Sequence, residues 1–64
     1  MLELELMLNI ARNKITSLMA IRSLAFQAGD LRTHENADLE IKSLEIDIKR
    51  LEDLIAEGKN AINS

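Results

Sequence analysis

The 64-residue chain has no cysteine, no proline, no tryptophan and no tyrosine, and only two glycines, one phenylalanine and one histidine. Each absence excludes something. Without cysteine there is neither a disulfide nor a thiolate metal site. His34 alone cannot build a zinc site without other strong ligands. A chain this short buries only about 60% of its unfolded surface. With no disulfide or metal to staple it, oligomerisation is the remaining route to a stable core.

No apolar run approaches the roughly 18 residues of a membrane span. The opening Met1-Leu2-Glu3-Leu4-Glu5 is acidic where a signal peptide is basic. The net charge of −3 is too small for a DNA mimic and has the wrong sign for a general nucleic-acid binder. No glycine loop that cradles phosphate and no Glu-x-x-His pair is present. These features predict a soluble, cytoplasmic protein with no cofactor or metal and no membrane partner; nucleic acid is not the expected partner.

What is there favours helix. Hydrophobic residues make up 47% and charged residues 30% of the chain, with many Leu, Ile, Ala, Glu and Lys. In the second half, Ala37, Ile41, Leu44, Ile48, Leu51, Ile55, Gly58 and Ile62 follow one another at spacings of four and three. That is a heptad seam, with isoleucine recurring at one of its two core positions. Gly58 either ends this helix as a cap or is a weak point inside it. Leu39 and Ile46 lie seven apart on the outer face. They are either scattered surface residues or a second contact surface.

The first half carries a matching seam of Leu4, Leu8, Ala11, Ile15, Leu18 and Ala25, interrupted by Arg22 and widened by Met7, Ile10, Ile21, Leu24 and Ala28. Between Leu18 and Phe26 apolar residues point in nearly every direction. A helix that is apolar all round needs cover on all sides, more than one partner helix supplies. A third stripe, Asn9, Asn13, Thr16, Ala20, Ser23 and Gln27, is uncharged and suits close helix packing or hydrogen bonding to a partner. No acidic residue occurs from Leu6 to Gly29, whereas acids outnumber bases nine to five from Asp30 onward. The second helix therefore reads as the solvated outside of an assembly and the first as its inside.

Gly29-Asp30-Leu31-Arg32-Thr33 reads as the turn, with Gly29 in the left-handed position that ends a helix and Asp30 or Thr33 capping the next. The whole chain, 1–64, is thus expected to be one all-α domain. It is an antiparallel two-helix hairpin, with helix one over about 2–28, a turn over about 29–33 and helix two over about 34–57 or beyond. Hairpins of this kind pair into four-helix bundles. The expected contacts between copies are Leu8, Ile15, Leu18, Ile21, Phe26, Leu39 and Ile46.

No set of nucleophile, base and orienting group can be assembled, so His34 reads as a turn residue. Arg12 and Arg22, with Asn9, Asn13, Ser23 and Gln27, form a candidate ligand-binding set. Arginine's planar fork suits phosphate or carboxylate, so a small anionic, nucleotide-like ligand is one expectation. Pairing of both arginines with acids of helix two is the other.

Ser43-Leu44-Glu45-Ile46-Asp47 resembles the Ser-Gln-Glu-Leu-Asp signature of the sporulation-regulating aspartyl-phosphate phosphatases, with Leu44 where that signature has glutamine. The resemblance implies a two-helix hairpin that removes phosphate from a response regulator's aspartate, with Asp47 as the essential carboxylate. Leu8-Asn9-Ile10-Ala11-Arg12 is similar to a stretch of the Rop-type plasmid copy-number hairpins. That likeness implies a four-helix dimer and an RNA-contacting role for Asn9, but Asn13 stands where the family has its aromatic contact. The shape is also similar to the small hairpin co-chaperones of secretion needles, which implies an assembly subunit. The leading expectation is a non-enzymatic, homo-oligomeric regulator that sequesters or masks a protein partner or small anionic ligand.

Overall fold

In the computed structural model the backbone is described from Leu2 to Asn63 and the side chains from Leu2 to Lys59. Two helices, α1 (Leu2–Gln27) and α2 (Leu31–Asn63), pack against each other as an antiparallel hairpin. The seam predicted by heptad spacing is the seam that packs. Leu8, Ala11, Leu18 and Ala25 of α1 and Ala37, Ile41 and Ile55 of α2 are buried. Leu4, Ile15, Leu44, Ile48, Leu51 and Gly58 are half-buried along the same line. Ile62, the last seam position, lies outside the described side chains.

Arg22 interrupts the α1 seam without leaving an unpaired charge inside. Its aliphatic stem occupies the seam position while its guanidinium reaches Asp38 of α2, with Nη1 donating to Oδ1 at 2.7 Å. No buried side-chain polar atom among the described residues lacks a partner.

The turn is shorter than the sequence suggests, because Asp30 serves both helices. Gly29 takes φ +74°, the left-handed conformation open to glycine. Its N–H donates to the Phe26 carbonyl at 3.1 Å, and the Asp30 N–H donates to the Ala25 carbonyl at 2.9 Å. These are the two hydrogen bonds of a Schellman ending. The Asp30 carboxylate then accepts the Thr33 N–H at 3.2 Å and the Thr33 hydroxyl at 2.6 Å. Asp30 is therefore the N-cap, and α2 begins at Leu31 rather than near residue 34. These bonds, the Thr33 hydroxyl's first and its N–H second, hold the Asp30 carboxyl below the usual aspartate value. Gly58 lies inside α2 and does not end it.

The result is a rod of 53 × 15 × 12 Å. Its radius of gyration is 15.2 Å, against about 11 Å for a compact domain of this length. No described helix is long and apolar enough to cross a membrane.

Candidate functional site: two unlike flanks of one hairpin

The two flanks of the seam follow a simple rule. Residues immediately after a seam position lie on one flank, and those immediately before it lie on the other. Arg12, after Ala11, pairs across the hairpin with Glu52, after Leu51, at 3.3 Å. Asp38, after Ala37, receives Arg22 and is also met by Lys42 one helical turn on, at 3.1 Å. Hydrogen bonds from Lys42 and then from Arg22 hold the Asp38 carboxyl below the usual aspartate value. Both interhelical ion pairs among the described residues thus belong to this flank, which closes on itself through the chain's own charges.

The opposite flank is open. Met7, Ile10 and Lys14 of α1 face Asp47, Arg50 and Leu54 of α2 across a shallow groove of about 510 Å³, with Leu4, Ala11, Leu44 and Leu51 as its floor. Met7, Ile10 and Leu54 are 54%, 65% and 44% exposed. Ile21 and Leu24 continue the same line toward the turn, one heptad after Lys14 and two after Ile10, and are exposed as well. No ion pair among the described residues involves Lys14, Asp47 or Arg50.

The residues expected to bind a ligand are not brought together within one hairpin. Arg12 and Arg22 are turned to acids of α2, the second of the two readings the sequence allowed. Asn9, Asn13, Ser23 and Gln27 are exposed along α1, spread over about 27 Å of helix. Thr16 of the same uncharged stripe donates its hydroxyl to the Arg12 carbonyl at 3.2 Å, a bond within the helix itself.

The expected contacts between copies divide. Leu8 and Leu18 are buried in the hairpin's own core and Ile15 is half-buried there. Ile21, Phe26, Leu39 and Ile46 are exposed at 45%, 68%, 65% and 62%. By spacing alone Met7, Ile10 and Leu24 only widen the seam. Their position just before seam residues was the signal that separates them from the core.

His34 is half-buried in the first turn of α2 rather than in the connection, its ring tilted at 51° to Phe26 with centroids 5.7 Å apart. Asp47 is exposed in the groove. Among the described residues no cluster of His, Cys, Asp or Glu is arranged to hold a metal ion.

The fold is therefore an all-α two-helix hairpin with one self-paired flank and one apolar flank. Comparison with family models, curated proteins and solved structures finds no match for the chain.

Proposed function

We propose that the protein is a non-enzymatic regulator that works as a homo-oligomeric helical bundle and sequesters or masks a protein partner. One observation carries this reading: α1 keeps large apolar side chains in water on more than one side of the hairpin. Leu6, Met7, Ile10, Ile21, Leu24 and Phe26 are all exposed, five of them by more than half. The accessible surface is 4962 Å², whereas a compact 7.2 kDa monomer has about 4,100 Å². The excess of about 800 Å², polar and apolar together, goes with the rod shape and is similar in size to what one partner contributes to a standard interface. Large apolar side chains grouped on the surface of a small protein mark an interaction surface. Native mass spectrometry of the tagged protein from its source cell tests the reading. Multiples of the chain mass, with a further protein bound, are expected; a bare monomer overturns it.

A second reading has its own support. Asp47 shares the groove with Lys14 and Arg50, a carboxylate beside two cations that suit a phosphoryl group. Under the phosphatase likeness, Asp47→Ala would leave the hairpin folded and end dephosphorylation of a phosphorylated receiver domain. Wild-type protein with no such activity on the receivers of its own cell removes this reading.

A further inference from the structure

The two flanks differ in a way that assigns them different neighbours. The ion-paired flank has satisfied its interhelical charges internally and leaves two large apolar side chains exposed, Met19 and Phe26, so covering it gains less and desolvates existing pairs. The groove flank has the reverse properties. Met7, Ile10, Ile21, Leu24 and Leu54 each leave on the order of 100 Å² of apolar surface open, about 500 Å² in all. Doubled across a symmetric contact this reaches about 1,000 Å², the floor for a specific interface, before any polar rim is added.

Charge favours a second copy as the occupant. Lys14 and Asp47 lie near the midpoints of α1 (Leu2–Gln27) and α2 (Leu31–Asn63), with Arg50 one turn beyond Asp47. They give the centre of the groove both signs of charge, and neither sign is used within the hairpin. On α1 apolar residues lie on either side, Met7 and Ile10 toward the open end and Ile21 and Leu24 toward the turn, while α2 brings Leu54 and Glu57 toward the open end and Glu40 toward the turn. An α1 edge ordered as apolar, charge, apolar is its own complement under a two-fold axis that crosses its middle. There each helix lies on its own copy in the opposite direction, so that Ile21 and Leu24 of one chain meet Met7 and Ile10 of the other, and Arg50 lies beside the other copy's Asp47. A single-signed face would repel its own copy.

We infer that the groove flank is where two copies of this chain meet, closing a four-helix bundle that keeps the ion-paired flank outside. This rests on the oligomeric reading above and adds which face the oligomer uses. It also places Asp47 inside the bundle, out of reach of a phosphorylated receiver.

The absence of native cysteine allows a direct test. Single variants Ile10→Cys on the groove flank and Met19→Cys on the ion-paired flank are labelled with a maleimide at low and high protein concentration, with mass followed by sedimentation. Ile10 and Met19 are 65% and 46% exposed in the hairpin, so both substitutions are compatible with folding. The expected result is that labelling of Ile10→Cys slows roughly tenfold or more as copies associate, while labelling of Met19→Cys is unchanged. Association without protection of Ile10→Cys, or with protection of Met19→Cys instead, overturns the choice of face and leaves the oligomer standing. Absence of association at every concentration overturns both.

Discussion

Ile41 is the side chain on which the hairpin depends most, and Ile41→Ala measures how much. It is 1% exposed, the most completely buried large residue among those described, whereas Ile46 on the outer face of the same helix is 62% exposed. Truncation to alanine removes three carbons. At about 0.8 kcal/mol for each, the lost transfer energy is about 2.4 kcal/mol. A cavity that closes only in part adds about 1 kcal/mol more. The expected loss is therefore about 3 kcal/mol, against a total stability of roughly 3–10 kcal/mol for a domain of this length. Ile46→Ala should cost less than about 0.5 kcal/mol within the hairpin. Urea unfolding followed by far-ultraviolet circular dichroism resolves the two. With a slope near 1 kcal/mol per molar urea, Ile41→Ala moves the midpoint down by about 3 M. Both variants must be compared at one protomer concentration, because association adds stability by mass action. Equal effects of the two substitutions would refute the assignment of the seam.

Three further outcomes follow from particular contacts. Gly29→Ala should lower stability by about 1–2 kcal/mol in the same assay, since nothing crowds the position but its φ of +74° strains any residue with a Cβ; an unchanged midpoint would contradict the turn geometry. Asp30 and Asp38 both have folded-state pKa values below the ordinary 3.8. Their stabilisation is complete above that value and is lost as pH falls through the lowered folded values, so the urea midpoint should drop below about pH 4; in the double variant Asp30→Asn, Asp38→Asn that acid-induced drop should shrink, and an identical pH profile would refute both assignments. Arg22→Leu should leave the thermal midpoint unchanged or raise it by a few degrees, because leucine completes the seam and Asp38 keeps Lys42; a fall of more than about 10 °C would mean that the Arg22–Asp38 pair is indispensable.

Much of this architecture is legible in the residue order because helical packing repeats. The four-and-three spacing of Leu4 to Ala25 and of Ala37 to Ile55 is the register that is buried. Gly29 is where a left-handed residue is needed. The start of α2 was less legible, since Asp30 and Thr33 are both good caps. Only the 3.2 and 2.6 Å bonds between them show that Asp30 caps while Thr33 is already helical.

The inequality of the flanks lay further from reach. Arg12 and Glu52 are forty positions apart, and their meeting depends on how the two helices align. Counting apolar residues on α1 identified an excess but not its members. Leu8 and Leu18 are consumed by α2, leaving Met7, Ile10 and Leu24 outside. The uncharged stripe from Asn9 to Gln27 is exposed in the single hairpin. Arg12 and Arg22, proposed with it as an anion site, answer to acids of α2.

Both proposals require that the hairpin associates with copies of itself. Sedimentation equilibrium from low to high micromolar concentration, with helix content recorded on the same samples, tests it most directly. A mass that rises to a whole multiple of the chain's own is expected. A fully helical species that stays at one chain mass throughout would contradict it.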